Sequence, residues 1–211
     1  MIKKVAVIGS GSWGTAIALL LAKRGFIVNL WSYLKEEAQR LSADRENKQF
    51  LPGIMLPDSI YCTNSMEEAV KDAELVFMVT PSAFVKSTAE NLSSYIKSGM
   101  IIVNAAKGLE QDTQERLSVT IGKAIPQAEV VVMSGPSHAE EVARNLPTTN
   151  VIAARTLEIS QYVQDVLMCD FFRVYTSLDM IGVELGGALK NVIALCAGMS
   201  DGLGFGDNTK A

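Results

Sequence analysis

Val5-Ala6-Val7-Ile8-Gly9-Ser10-Gly11-Ser12-Trp13-Gly14 carries a short apolar run, rich in β-branched residues, directly into three glycines spaced as G-x-G-x-x-G. Apolar side chains at consecutive positions suit a strand covered on both faces of a parallel sheet. The glycines suit a tight turn, a close approach of backbone to a pyrophosphate, and close contact between helix and sheet. Residues 13–24 are then rich in helix formers, and Lys23 and Arg24 complement the helix dipole just before Gly25. A glycine triplet of this spacing says little by itself. Set between a strand and a helix at the head of an alternating chain, it predicts a dinucleotide-binding turn. Gly9, Gly11 and Gly14 form the cradle, and unpaired N–H groups near Ser12 and Trp13 face the diphosphate.

The alternation continues outward from that turn. Apolar runs at 27–31, 60–63, 75–79, 101–105, 130–133, 151–154 and 171–175 read as strands. Segments 67–71, 83–96, 117–125 and 159–168 read as helices between them. The pattern predicts an α/β chain with a doubly wound, mostly parallel Rossmann-type sheet and right-handed crossovers. After Thr176 it changes: residues 180–198 form a long helix-like stretch without a strand partner, followed by a Gly-rich loop at 202–208. Residues 1–178 are therefore expected to form the dinucleotide-binding domain, and residues 179–211 the start of a helical domain.

Composition narrows the function. The formal charge of −4, with 19 Lys and Arg scattered among 211 residues, does not suit nucleic acid or an anionic membrane surface. The three cysteines, Cys62, Cys169 and Cys196, lie far apart and His138 is the one histidine, so no metal site is expected. A reducing, cytoplasmic compartment fits. Lys3 and Lys4 precede an uncharged stretch at 5–22 that superficially resembles a leader. Its glycines, and the lack of a small-x-small cleavage site before Lys23, argue for a buried strand, turn and helix and against membrane insertion.

The end of the second strand bears on the cofactor. A carboxylate there would bind the ribose 2′-hydroxyl of NAD and repel the 2′-phosphate of NADP. The sequence has Ser32 and Tyr33 instead, so NADPH is expected to bind at least as well as NADH, with Tyr33 packing on the adenine end. The competing reading makes Ser32 an ordinary loop residue, with preference set elsewhere.

Several local sequences share one register. They are Gly9 through Ala16, Phe50-Leu51-Pro52-Gly53-Ile54, Lys107-Gly108-Leu109-Glu110, Ser134-Gly135-Pro136-Ser137, Gly187-Ala188-Leu189-Lys190-Asn191-Val192, and the final run from Asp201 to Ala211. In this order they resemble the glycerol-3-phosphate dehydrogenases, most nearly the bacterial NAD(P)-dependent branch, along the whole chain. The resemblance implies hydride transfer between NAD(P)H and dihydroxyacetone phosphate, a phosphorylated three-carbon substrate, giving sn-glycerol 3-phosphate for phospholipid synthesis. It implies Lys190 as the acid/base residue and Lys107 beside both cofactor and substrate. Gly135 and Ser137 then line the substrate site, with Asn191 a further candidate, while Ser12, Trp13, Tyr33 and Ala139 contact the cofactor. It also implies a homodimer.

Chemistry agrees with those roles without compelling them. Reducing a ketone builds negative charge on its oxygen, which calls for a proton donor within hydrogen-bonding reach. Lys190 lies between Leu189 and the apolar run 192–195, and burial with a second cation nearby would lower its pKa. Lys107 directly follows a strand and should emerge at the carboxyl edge of the sheet. By residue chemistry alone, Lys107 reads as a plain loop charge, and Lys190 stands open between an acid/base residue and a lysine snorkelling from a helix. His138 beside Ser137 lacks an acidic partner and is expected to be a loop residue.

Family members continue beyond Asn208 into a helical substrate domain, with an aspartate and a Ser-Arg-Asn segment that grips the substrate phosphate. The 211 residues hold neither. The chain is therefore expected to be a truncated form that binds dinucleotide with little turnover, because a phosphate dianion without its guanidinium clamp binds poorly. Two rivals stand beside this reading: a two-domain dehydrogenase of related plan acting on another hydroxy substrate, and a non-catalytic dinucleotide sensor.

Overall fold

The computed structural model describes residues 4–210. Lys3, half of the basic pair before the first strand, and Ala211, the end of the final motif, lie outside them. Strands and helices follow in the order β1 (Lys4–Ile8), α1 (Ser12–Lys23), β2 (Ile27–Trp31), α2 (Lys35–Asp44), β3 (Ile60–Thr63), α3 (Met66–Val70) and β4 (Ala73–Met78). Then come α4 (Ser82–Leu92), β5 (Ile101–Asn104), α5 (Leu117–Ala124), β6 (Glu129–Ser134) and α6 (Ala139–Ala143). The series closes with β7 (Thr148–Ala153), α7 (Leu157–Leu167), β8 (Phe172–Ser177), α8 (Met180–Gly202) and α9 (Asp207–Lys210). The sequence does not predict α2 or α6, and α9 replaces part of the expected Gly-rich loop.

One sheet runs β3-β2-β1-β4-β5-β6-β7-β8. Strands β1 to β6 are parallel, β7 is antiparallel to β6, and β8 is parallel to β7. The mostly parallel, doubly wound sheet is as expected, and the reversal at β7 has a local cause. Between β6 and β7 stands only α6, of five residues, and it packs on α1. A parallel return needs a crossover element laid along the sheet.

Alternation along the strands divides the core between the two faces. Val5 and Val7 lie among Ile17 and Leu21 of α1 and Val163 and Leu167 of α7. Ala6 and Ile8 lie among Val85 and Leu92 of α4 and Ile121 of α5. Ile17 and Leu21, one turn apart, are fully buried, each contributing about 1.5–3 kcal/mol of apolar burial. Packing therefore holds α1, which has no side-chain cap at its N-terminus.

From Ser177, α8 climbs beside β6, where Glu184 is buried. Farther along, Leu189, Ile193, Leu195 and Met199 are all exposed. By length and composition α8 could cross a membrane, and 6% of its apolar window is buried among the described residues.

Candidate functional site

The carboxyl ends of β1, β4, β5 and β6 share one edge of the sheet, and Gly9, Lys107 and Gly135 follow β1, β5 and β6 there. Gly9 has φ of 122°, and a Cβ on it would lie 2.9 Å from the Val79 carbonyl oxygen. A Cβ on Gly14 would lie 1.8 Å from the Gly9 carbonyl oxygen, so only glycine lets α1 approach so closely. Around Gly11 no atom comes within 4 Å of a Cβ. The first helical bond of α1 runs from Thr15 N–H to Gly11 O, leaving the N–H groups of Ser12, Trp13 and Gly14 ahead of the ladder. A tight turn, an open side at Gly11 and an uncapped helix start fit a diphosphate. Trp13 is half-buried against the core, and its remaining surface is available at the turn.

Lys107 emerges just after β5. Its Nζ donates to the Gly135 carbonyl at 2.9 Å, and that carbonyl also accepts from the Ser137 N–H at 2.9 Å and the Ser137 hydroxyl at 3.5 Å. Three of the expected substrate-site residues thus form one cluster. Gly135 is required by packing: a Cβ there would lie 2.7 Å from the Thr149 carbonyl oxygen. On α8, Gly187 passes so close that a Cβ would lie 2.4 Å from Ser134 Oγ and 3.9 Å from Lys107 Cγ. Lys190 and Asn191 follow three and four residues later, on the same side of the helix.

The charge of Lys190 acts on Lys107. Burial, and then the positive charge of Lys190, hold the Lys107 pKa below the ordinary lysine value. The sequence suggested burial around Lys190; the structure puts it around Lys107. Lys190 is exposed because Leu189, Val192, Ile193 and Leu195 beside it are themselves exposed, each at least half. Lys107 is correspondingly more than a loop charge. The unfolded chain keeps this proton to higher pH than the folded one. Stability from this group therefore rises with pH between the lowered value and the ordinary lysine range. The pH midpoint for acylation of Lys107 is expected to lie below that of Lys48, whose ammonium Asp44 stabilises. Lys190→Met is expected to raise it. Peptide mass spectrometry after pulse labelling reads both, and equal midpoints for Lys107 and Lys48 would contradict the picture.

The other expected residues are more scattered. Tyr33 stands at the tip of β2, 81% exposed, with its ring edge-on to Trp31 at 6.2 Å. Ala139 opens α6 and is buried in the core shared with α1. His138 is exposed, its Nδ1 2.7 Å from Glu140 Oε2 and not engaged with Ser137. Among the described residues no three His, Cys, Asp or Glu side chains converge as metal ligands.

Two carboxylates escape the sequence reading. Glu184 of α8 accepts from the Ser118 N–H at 2.8 Å, from Ser118 Oγ at 2.6 Å and from Arg116 Nη1 at 3.3 Å, capping α5. Glu37 of α2 accepts from Ser32 Oγ at 2.6 Å and from Ser10 Oγ at 3.1 Å. The tip of β2 does carry a carboxylate, delivered by the unforeseen helix. This removes the premise on which NADPH was expected to bind as well as NADH.

Sheet order, glycine turn and open helix start define a dinucleotide-binding α/β fold. The family model for the NAD-dependent glycerol-3-phosphate dehydrogenase N-terminus matches residues 4–160, and that for the C-terminus matches 179–211. The chain belongs to the NAD-dependent glycerol-3-phosphate dehydrogenase family. It is 51% identical to a glycerol-3-phosphate dehydrogenase [NAD(P)+] of Agathobacter rectalis, over 99% of this chain and 62% of that protein. It is 54% identical to a protein of the same name from Moorella thermoacetica, over 100% of this chain and 63% of that one. The crystal structure of glycerol-3-phosphate dehydrogenase from Coxiella burnetii superposes with a TM-score of 0.90 at 34% identity, covering 99% of this chain and 64% of that one. The chain thus spans less than two thirds of the length of these relatives.

Proposed function

We propose that the chain is the cofactor-binding part of an oxidoreductase that interconverts dihydroxyacetone phosphate and sn-glycerol 3-phosphate with NAD(P)H. A bound nicotinamide dinucleotide would supply or accept the hydride. Gly9, Gly11 and Gly14, with the N–H groups of Ser12 and Trp13, would hold its diphosphate; Tyr33 and Ala139 would flank it. Lys190 gives a proton to the carbonyl oxygen during reduction and takes it back in the reverse direction. Lys107, fixed by the Gly135 carbonyl, adds a second cation facing an anionic substrate, and Gly135, Ser137 and Asn191 line the space around it. The observation that carries this reading is the meeting of Lys107 and Lys190 at the sheet edge that also holds the glycine turn.

The domain division at 178/179 belongs to the same proposal. So does the reading of the exposed apolar side of α8 as the inner surface of a helical substrate domain, not a membrane span. A cytoplasmic homodimer is the expected state. The 211-residue chain itself is expected to bind dinucleotide and turn over little.

The test is turnover in the intact natural protein. Lys190→Ala is expected to lower kcat by about 10²–10⁴-fold while NAD(P)H affinity stays within a few-fold. Lys107→Ala is expected to lower both turnover and affinity. Unchanged turnover in both variants would favour a sensing role, and activity confined to other hydroxy substrates would favour a related dehydrogenase.

A further inference from the structure

Glu37 lies six residues beyond the end of β2 in sequence, yet its carboxylate is tied to two points of the candidate cofactor site. Ser32, fully buried, donates its hydroxyl to Oε2, and the backbone N–H of Ser32 is itself fixed by the Thr63 carbonyl. Ser10, inside the glycine turn and 5% exposed, donates its hydroxyl to Oε1. The carboxylate therefore stands where the diphosphate turn meets the tip of β2, beside exposed Tyr33. No cation pairs with it among the described residues. Each of its oxygens takes one hydroxyl and keeps capacity for another donor.

We propose that Glu37 reads the adenosine ribose of the dinucleotide, accepting a hydrogen bond from a free 2′-hydroxyl and disfavouring a 2′-phosphate, so that the chain prefers NADH to NADPH. The inference rests on the dinucleotide-binding reading above. The names of the similar proteins cover both cofactors, so preference is a property of the individual chain. In a doubly wound fold the acidic side chain that meets this ribose stands at the end of β2. Here α2 delivers it, and two serines hold it without neutralising it. A 2′-phosphate would bring two like charges to an uncompensated carboxylate, which a hydroxyl does not.

The chain and its Glu37→Gln variant are titrated with NADH and with NADPH by fluorescence, and with ADP and 2′,5′-ADP in competition. The wild-type chain is expected to bind NADH at least about tenfold more tightly than NADPH, with ADP favoured over 2′,5′-ADP in the same sense. Glu37→Gln is expected to shrink that ratio about tenfold, mainly through tighter NADPH. Each ratio is internal to one preparation, so partial loss of folded protein leaves it unchanged. Equal or tighter NADPH binding by the wild type, or a ratio unmoved by Glu37→Gln, overturns the role of Glu37 and leaves the cofactor site standing. Failure of both dinucleotides to bind overturns both.

Discussion

Gly14→Ala is expected to weaken dinucleotide binding by about a hundredfold and to lower stability by roughly 1–3 kcal/mol. The added methyl would stand 1.8 Å from the Gly9 carbonyl oxygen and 2.9 Å from its carbon, both backbone atoms of the turn. Ordinary contact requires that α1 recede by more than an ångström, and the N–H groups of Ser12 and Trp13 recede with it. Hydrogen bonds to a diphosphate depend on their aim. Gly11→Ala separates the two effects, since its methyl meets no protein atom within 4 Å. That variant should melt as the wild type does and still bind dinucleotide poorly, because the methyl enters the open side of the turn. Titration and thermal melts of the two variants decide the matter. Wild-type affinity in Gly14→Ala would mean that the turn is not the cradle.

Glu184→Ala is expected to lower stability by about 3 kcal/mol, at the lower end for a broken buried ion pair. The lower end applies because Arg116 is one-quarter exposed and can be rehydrated. The loss also strands the Ser118 N–H at the start of α5, where the N-cap residue offers no side-chain acceptor in its place. Glu184→Gln keeps an acceptor and should lose less. Urea midpoints read the stability, and limited proteolysis within α8 reads its undocking. Undocking also withdraws the Lys190 charge, so the acylation midpoint of Lys107 should rise in Glu184→Ala. An unchanged urea midpoint would show that α8 is held by other contacts.

These residues differ in how readily the sequence discloses them. β1, the glycine turn and α1 are legible because apolar runs and glycine spacing are local properties. α2 is not: its ten residues bury only Ala38 and Leu41, so the apolar stripe is two residues long. A helix that leaves so faint a pattern gives Glu37 no sequence signature at the tip of β2, where Ser32 and Tyr33 read as a strand end without a carboxylate. α6 is too short for any period to show. The direction of β7 is hidden for another reason, since apolar alternation reports burial and carries no sign of polarity along the sheet. For the two lysines, sequence supplies only chain neighbours. Leu189 and Val192 look like a burial site for Lys190, whereas the fold buries Lys107 through Gly135 and Gly187, which are remote in the chain.

The reversal at β7 reaches beyond topology. Because β8 runs back with β7, its last residue, Ser177, lies level with Ala153 and Val132, just short of the end of β6, and α8 passes Ser134 at Gly187 before it reaches Lys190. Nothing local can join Lys190 to Lys107 early in folding, since ordering contacts of such long sequence separation is slow. The proposed lysine pair thus depends on contacts remote in the chain, whereas the glycine turn is built from neighbouring residues.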